Sequence, residues 1–299
     1  MNTIIKAELA LFTVAFLWGI NPPIMKLGLE WIPPILYNTI RMAFACVCAL
    51  IAFRASGQYR SMNRGDLWEL VKLSCGGFFV FQLFFTLGVQ RTTGGNASLL
   101  LGMLPVWIAI INKVCGIEAI TRRMAAGIGL SFLGILFIVL GSGKEMSLAS
   151  DHLLGALFLI VAQVGYAYFT IFSKPLIGSY SHYQTTAFVL AVNTLLFSLI
   201  SLPDLLSVDW QAIPVYGWVS TAYSGIFAIA VGNFLWIWGV GHVGSAKAAL
   251  YNNIAPGVAI VTGYFLLGET FGLLQALGTA ITFSGLYLTR VKKVASDKG

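Results

Sequence analysis

Residues 96–116 read NASLLLGMLPVWIAIINKVCG and contain a single charged side chain, Lys113, close to their end. A helix needs about 20 apolar residues to cross a hydrocarbon core about 30 Å thick, and this run has that length. Lipid cannot satisfy the backbone groups of an open sheet, so a spanning segment of this kind must be helical. The stretch therefore predicts a transmembrane α-helix with a proline, Pro105, at its middle.

Apolar runs of similar length recur along the whole chain. Of the 299 residues, 58% are hydrophobic and 10% are charged, against about 45–50% and about 25% in a typical soluble domain. This composition excludes a soluble fold and predicts an all-α integral membrane protein with ten transmembrane helices. The predicted spans are Ala7–Met25, Pro34–Phe53, Leu70–Gln90, Asn96–Gly116, Met124–Gly141, Leu153–Ser173, Tyr183–Pro203, Tyr216–Gly239, Ala246–Leu267 and Leu273–Arg290.

A second stretch repeats the pattern of the first at an offset of 151 residues. Residues 247–267 read KAALYNNIAPGVAIVTGYFLL, so that Pro256 falls where Pro105 does. The same offset pairs Gly88 with Gly239, Ala97 with Ala248, Gly127 with Gly278 and Gly134 with Gly285. Five spans is an odd number, so a second copy must enter the membrane from the opposite side. We therefore expect two inverted five-helix repeats, residues 1–145 and 146–299.

The basic residues lie mostly on one predicted side of the membrane. The chain has 18 Lys and Arg against 11 Asp and Glu, which gives a formal net charge of +7. Placing both termini in the cytoplasm puts most of these cations on the inner side, as the positive-inside rule requires. Contact with anionic membrane lipid then explains the net charge, and no nucleic-acid partner is expected.

Motifs for enzyme chemistry are absent or out of context. Residues 239–244 read GVGHVG and match the dinucleotide-binding fingerprint, but they join two predicted spans instead of a strand and a helix. His152, His182 and His242 are far apart, and the four cysteines lack zinc or disulfide spacing. We expect no catalytic residue, no cofactor and no metal. A membrane enzyme or scaffold is the remote alternative to a transporter.

Two prolines, Pro105 and Pro256, lie in the middle of predicted spans at equivalent positions of the two repeats. Each should kink its helix and free the carbonyl four residues earlier, on Leu101 and Asn252. A freed carbonyl in a membrane lines a cavity or finds a partner, so these two groups are candidates to accept hydrogen bonds from a substrate ammonium. A kink that only improves packing is the alternative.

Side-chain amides at predicted membrane depth form a second set of candidates. Gln82 and Asn233 are related by the offset of 151, and Gln163 and Asn252 lie in the sixth and ninth predicted spans. Each could bind substrate or make an interhelical hydrogen bond worth about 0.6 kcal/mol. Aromatic residues of the same helices could wall an apolar cavity or pack in the core, and these candidates are Trp18, Tyr166, Trp236 and Tyr251.

Arg41 lies about seven residues into the second predicted span. An arginine at the centre of a spanning helix costs about 2.5–3.5 kcal/mol. Its long side chain could anchor the helix by reaching toward the outer face, or it could contact a carboxylate on the transport pathway. None of the 11 Asp and Glu lies at predicted mid-membrane depth, so we expect movement driven by the substrate gradient, with coupling through a group other than these carboxylates as the alternative.

These residues resemble the EamA-type branch of the drug/metabolite transporter superfamily. The resemblance covers nearly all ten spans and rests on Trp18-Gly19, Asn21, Lys26, Pro33, Arg41, Ala97, Pro105 and Leu267-Gly268-Glu269. It implies an exporter of the bacterial cytoplasmic (inner) membrane that works by alternating access around a central cavity, and it adds Asn21 to the candidate substrate-binding residues.

Within that branch, the chain is most similar to the ten-span exporters of aromatic amino acids. The resemblance implies that neutral amino acids, including aromatic ones, and similar small metabolites are the substrates. Efflux of hydrophobic drugs or of other metabolites is the alternative, and it would need the aromatic side chains but not the amides.

Overall fold

The computed structural model describes residues 3–117, 121–141, 151–243, 251 and 254–290, and all regular structure within these ranges is helical. The α-helices are α1 (Thr3–Leu29), α2 (Pro34–Ser56), α3 (Arg64–Leu73), α4 (Val80–Arg91), α5 (Gly94–Leu101), α6 (Leu104–Val114), α7 (Arg122–Leu140), α8 (Asp151–Phe172), α9 (Lys174–Ser179), α10 (His182–Ile200), α11 (Leu202–Ser207), α12 (Val215–Ala222), α13 (Gly232–Val243), α14 (Ile254–Leu267) and α15 (Leu273–Arg290). Two π-helical segments, π1 (Ser74–Phe79) and π2 (Tyr223–Val231), join α3 to α4 and α12 to α13.

Seven helices in the described ranges are long and apolar enough to cross a membrane. Three shorter apolar helices, Ala125–Ile138, Ile254–Leu267 and Leu273–Gly285, fall within the fifth, ninth and tenth predicted spans. The all-helical membrane fold is thus as predicted. The count of ten spans and the cytoplasmic position of both termini stay predictions, and so does the division between residues 145 and 146, which lies outside the described residues.

Polar side chains start the helices that follow tight connections. Asn63 Oδ1 accepts a hydrogen bond from the backbone N–H of Asp66 at 2.7 Å, and Thr93 Oγ1 accepts one from the backbone N–H of Asn96 at 3.1 Å. A helix start leaves four backbone N–H groups without a partner inside the helix, and each of these caps supplies one partner. The caps therefore define where the helix containing π1 and the following helix α5 begin.

The fourth predicted span is broken and not merely kinked. Helix α5 ends at Leu101, the backbone turns at Gly102 and Met103, and α6 starts at Leu104 with Pro105 in its first turn. A proline is readily accommodated in the first turn of a helix, where its missing N–H would have no partner in any case. The prediction of a kink at Pro105 is corrected to a break three residues before it.

The segments π1 and π2 occupy equivalent positions in the sequence. Moving Ser74–Phe79 along the chain by 151 residues gives positions 225–230, which lie inside Tyr223–Val231. A π-helical turn holds one more residue than an α-helical turn and is frequent at functional sites. Gln82 and Asn233, the amides related by the same offset, follow π1 and π2 within three residues.

Helices α7 and α15 approach so closely that their glycines cannot be replaced without a clash. A Cβ atom on Gly134 would lie 2.6 Å from the carbonyl oxygen of Gly278, and one on Gly285 would lie 2.5 Å from that of Gly127. The offset of 151 converts the first pair into the second. This reciprocity is what a local two-fold axis between antiparallel helices produces.

The other contacts between helices also occur in pairs that correspond in the two predicted repeats. Helix α1 packs against α13 and α14, and α8 packs against α4 and α6. Helix α2 packs along α10, with π2 against α2 and π1 against α10. Helices α1 and α8 thus have equivalent places in the packing, and Asn21 of α1 and Gln163 of α8 line a common space.

Candidate functional site

A cavity of about 140 Å³ lies where α1, α2, α4, α5, α6, α8, α13, α14 and the two π-helical segments meet. On the same measure a single water molecule needs about 10–15 Å³, so the cavity has room for a small metabolite. Most of the predicted site residues line it: Trp18, Asn21, Arg41, Gln82, Leu101, Gln163, Tyr166, Asn233 and Pro256.

The other predicted site residues lie elsewhere. Trp236 lies against Trp18 in a tilted arrangement, with their ring centroids 5.2 Å apart, and is outside the cavity wall. Tyr251 is half-buried and does not line the cavity. Pro105 lies in the first turn of α6, and Asn252 lies outside the described residues. The cavity therefore contains one of the two predicted kink prolines and one of the two predicted free carbonyls.

The carbonyl of Leu101 is free of its helix, as the proline predicted, but it already has a partner. Gln163 Nε2 donates a hydrogen bond to this oxygen at 2.9 Å. Because this bond requires the NH₂ group of the amide, it also determines which way the amide faces. Gln163 Oε1 is then buried without a hydrogen-bond partner among the described residues. The role of Leu101 as an acceptor for substrate stays a prediction, and the oxygen of Gln163 is a further acceptor beside it.

Asn21 presents a second acceptor of the same kind. Its Nδ2 donates to the sulfur of Met25 at 3.4 Å, whereas Oδ1 is buried and has no hydrogen-bond partner in the described part of the chain. A buried polar atom without a partner costs about 1–3 kcal/mol, so a position of this kind requires an explanation. Both orphan oxygens belong to residues that line the cavity.

Asn233 and Gln82 differ in their bonding although the offset relates them. Asn233 Nδ2 donates to the backbone oxygen of Ile229, inside π2, at 2.7 Å. Gln82 Oε1 accepts a hydrogen bond from the guanidinium of Arg41. Asn233 therefore bonds within its own helix, whereas Gln82 connects α4 to α2.

Arg41 is buried, with 1% of its surface exposed, and does not reach the helix end. The prediction that it extends toward the outer face is therefore wrong. Its guanidinium donates only to neutral groups among the described residues, which are Asn38 Oδ1 at 2.6 Å, Ser224 Oγ at 3.0 Å, Met25 Sδ at 3.2 Å, Thr86 Oγ1 at 3.4 Å and Gln82 Oε1. These partners hold the side chain beside the cavity, where it also lies 5.2 Å from the ring centroid of Phe85.

The segment π2 brings one of these partners to Arg41. A Cβ atom on Gly225 would lie 2.4 Å from the backbone oxygen of Arg41, so only glycine permits π2 to approach α2 this closely. Ser224, the preceding residue, then reaches the guanidinium. The extra residue of the π-helix and the glycine together position a neutral partner for a buried cation.

Aromatic rings form the apolar wall. Phe81 stacks on Tyr166, with ring centroids 4.5 Å apart, and on Phe85, with centroids 5.5 Å apart. Sequence reasoning missed Phe81 and Phe78 as wall residues. Phe78 lies four residues before Gln82, and Phe81 lies four residues before Phe85. This spacing places the four side chains on one helix face and was the available signal.

Direct contacts join the two predicted halves at both ends of the helix Arg64–Arg91, which is about 40 Å long. Near its first residue, the backbone N–H of Arg60 donates to Gln184 Oε1 at 2.9 Å, and Gln184 Nε2 donates to the backbone oxygen of Arg60 at 2.6 Å. In the same region Tyr180 donates to Asp66 at 2.6 Å, and this hydrogen bond raises the pKa of the phenol.

Near the last residue of that helix, a carboxylate from the second predicted half caps α5. The two oxygens of Glu269 accept hydrogen bonds from the backbone N–H groups of Gly94 at 2.7 Å and Gly95 at 3.2 Å. Gln275 adds a hydrogen bond to Asn96 at 2.9 Å. An anion at a helix N-terminus is stabilised by the unpaired N–H groups and by the helix dipole.

Comparison with known proteins gives one family and several relatives. The profile of the EamA-like transporter family matches residues 5–140 and again residues 153–291. The uncharacterized transporter YetK of Bacillus subtilis is 27% identical over 280 residues, which are 93% of this chain and 85% of the relative. A probable terminal-alkyne amino-acid exporter of Streptantibioticus cattleyicolor is 27% identical over 285 residues, 95% of this chain and 93% of the relative.

A solved crystal structure has the same fold. It superposes on this chain with a TM-score of 0.65 at 17% sequence identity, covering 95% of this chain and 96% of the other. At this identity the likeness concerns the fold alone.

Proposed function

The chain belongs to the EamA-like transporter family, and we propose that it exports neutral amino acids, including aromatic ones, from the bacterial cytoplasm by alternating access. Its relatives are transporters with small-molecule substrates, and its apolar helices make it a multi-pass membrane protein. Export, the amino-acid substrate and the inner-membrane location are proposals that go beyond membership of the family. The amino-acid exporter named above supports the substrate class.

The observation that carries the proposal is the composition of the cavity wall. Gln163 Oε1 and Asn21 Oδ1 have no hydrogen-bond partner in the described ranges, and these acceptors suit the ammonium group of an amino acid. The rings of Phe81, Phe85 and Tyr166 offer an apolar surface for a side chain. Such a surface separates ligands that differ by one methylene by only about 1–3 kcal/mol, so a range of neutral amino acids is accepted.

The packing supports alternating access. The family profile matches the chain twice, which supports two copies of one unit in residues 1–145 and 146–299, the second inverted. Contacts between these two parts occur at both ends of the helix Arg64–Arg91, through Gln184 at one end and Glu269 at the other. We expect the polar contact at one end to break, and the helices around it to repack, when that end opens.

Efflux of hydrophobic drugs is the second candidate, because the aromatic wall would also hold a flat apolar molecule. The two candidates differ in their need for Gln163. A hydrophobic drug would bind through apolar contacts and would not need the oxygen of Gln163, whereas the ammonium group of an amino acid would donate a hydrogen bond to it.

We expect Gln163→Ala to lower the counterflow of labelled phenylalanine into proteoliposomes by about 10-fold, the order of one lost hydrogen bond to a charged group. Efflux of ethidium, a hydrophobic drug, serves as the comparison. Gln90→Ala is the matched control, because Gln90 is exposed and lies outside the cavity. Equal phenylalanine counterflow for the wild type and both variants would contradict the proposal. Ethidium efflux that Gln163→Ala keeps, together with no phenylalanine counterflow by the wild type, would favour the drug transporter.

A further inference from the structure

We propose that Arg41 is the anion-binding residue of the cavity, and that a transported molecule must carry a carboxylate to pair with it. This inference rests on the proposed function, because it takes the cavity as the place where substrate binds. It specifies the chemical group that substrates share, and it assigns a role to a buried cation.

The first observation is a buried charge without a counter-ion. Arg41 is 1% exposed, and none of its partners among the described residues is a carboxylate. Removing a cation from water costs several kcal/mol, and neutral hydrogen bonds recover only part of that cost. Among the described residues, Arg41 is also the only charged side chain that is buried. An anion that enters the cavity therefore finds a cation with no competing internal anion.

The second observation is that two partners of Arg41 are weak and that a third, Gln82, lines the cavity. The sulfur of Met25 is a poor acceptor, and the Thr86 hydroxyl lies at 3.4 Å. Gln82, which accepts from Nη2, lines the cavity itself. A carboxylate that takes the place of the Gln82 oxygen would form charge-assisted hydrogen bonds, which are about twice as strong as neutral ones.

The guanidinium does not have to move for this exchange. Its Nε donates to Asn38 Oδ1 at 2.6 Å, and Ser224 Oγ accepts from Nη1 at 3.0 Å. The acceptors of these two bonds belong to α2 and π2, and together they fix the position of the guanidinium group. Nη2 is thus the group that exchanges its partner.

The opposite charge of the substrate has its own site. Gln163 Oε1 and Asn21 Oδ1, the two orphan acceptors, line the same cavity as Arg41. A zwitterion can therefore bind with its carboxylate on Arg41 and its ammonium on the amide oxygens. A lone cation gains the neutral acceptors but meets the uncompensated charge of Arg41, so the cavity disfavours cationic molecules.

Ligands that lack one of the two charges of phenylalanine test, with the wild-type protein, whether Arg41 binds the carboxylate. Phenylalanine has both groups, 3-phenylpropionate keeps the carboxylate alone, and phenethylamine keeps the ammonium alone. We expect 3-phenylpropionate to inhibit phenylalanine counterflow within about 10-fold of unlabelled phenylalanine. Phenethylamine should be about 100-fold weaker, the order expected when a buried charge loses its partner. Phenethylamine that inhibits as well as phenylalanine would overturn the proposal.

A variant with an internal anion provides the second test. Gln82→Glu puts a carboxylate beside Arg41 at nearly constant shape, so we expect a higher midpoint of thermal unfolding and a loss of stabilisation by 3-phenylpropionate. Gln90→Glu, the same change at an exposed position of the same helix, should alter neither property. If Arg41 has only a structural role, Gln82→Glu will still stabilise the fold but will leave the effect of 3-phenylpropionate unchanged, and the proposal is then wrong.

The two proposals fail in different ways. If no amino acid is transported but 3-phenylpropionate stabilises the wild type and not Gln82→Glu, the anion site stands and the amino-acid substrate is wrong. If phenylalanine is transported and phenethylamine competes equally well, the amino-acid substrate stands and the anion site is wrong. If neither phenylalanine nor 3-phenylpropionate has any effect on the wild type, both are overturned. If the Gln82→Glu protein does not fold, the comparison of phenylalanine, 3-phenylpropionate and phenethylamine on the wild type decides whether the anion site stands.

Discussion

Gly232 lies directly behind the indole ring of Trp18 in the cavity wall. The indole N–H of Trp18 donates to the backbone oxygen of Ala228, inside π2, at 2.9 Å. A Cβ atom on Gly232 would lie 2.7 Å from the nitrogen of that ring. The ring cannot keep its hydrogen bond if this side chain is added. The absence of a side chain at Gly232 is therefore what lets α1 present Trp18 to the cavity.

Gly232→Ala should destabilise the protein by about 1–3 kcal/mol and lower phenylalanine counterflow, because the ring must move into the cavity. Gly257→Ala is the matched control, since Gly257 also lies in a helix and a Cβ atom there meets nothing within 4 Å. The control should be neutral or slightly stabilising. Thermal unfolding of the purified proteins and counterflow in proteoliposomes measure both effects. Equal behaviour of the two variants would show that Trp18 does not depend on Gly232.

The polar residues of the cavity were predictable one by one, and their bonding was not. Gln82, Gln163 and Arg41 stand out because polar groups are rare inside apolar runs. The direction of the Gln163 amide depends on the Leu101 carbonyl, which becomes available only because the chain breaks at Gly102 and Met103. Helix periodicity contains no information on such a break.

Helices α7 and α15 show how one element recognises another in an apolar environment. Lipid tails are as apolar as the side chains, so close van der Waals contact must hold two helices together. Gly134, Gly278 and Gly285 provide that contact, and the Ser131 hydroxyl lies 3.4 Å from the backbone oxygen of Thr282. The offset of 151 also relates Ser131 to Thr282, so each helix presents the same surface to the other.

We expect Gly134→Ala to destabilise the protein by about 1–3 kcal/mol, because the added Cβ atom would lie 2.5 Å from the backbone nitrogen of Thr282. Gly129→Ala on the same helix is the control, since a Cβ atom there has open space around it. The midpoint of thermal unfolding in detergent should fall for the first variant and stay constant or rise for the second. Identical midpoints would contradict the close packing of α7 on α15.

At the scale of elements, hydropathy predicted the helices well and their irregularities poorly. A long apolar run such as Pro34–Ser56 has the length and composition of a membrane-spanning helix. The π-helical segments π1 and π2 were not predicted, because one extra residue in a helical turn leaves the local hydrophobicity unchanged. Short helices in the connections, such as α9 and α11, were also missed, since neither is long enough to produce a periodic pattern.

For the whole molecule, the repeat with an offset of 151 was the most useful sequence feature. It relates π1 to π2, Gly134 to Gly285 and Gln82 to Asn233, all of which have corresponding positions in the fold. The relation does not extend to the bonding of these two amides. Arg41 bonds to Gln82, whereas Asn233 bonds within its own helix, so the cavity is charged on one side only.

The most direct test of the account is counterflow by the purified wild-type protein. Proteoliposomes filled with unlabelled phenylalanine and placed in a trace of labelled phenylalanine should accumulate label above the level of protein-free liposomes. An ionophore that collapses the pH gradient should not abolish this accumulation, because no carboxylate is expected at mid-membrane depth. Accumulation that stops with the pH gradient would contradict the uncoupled mechanism. No accumulation of any neutral amino acid would contradict the central claim that this protein transports amino acids.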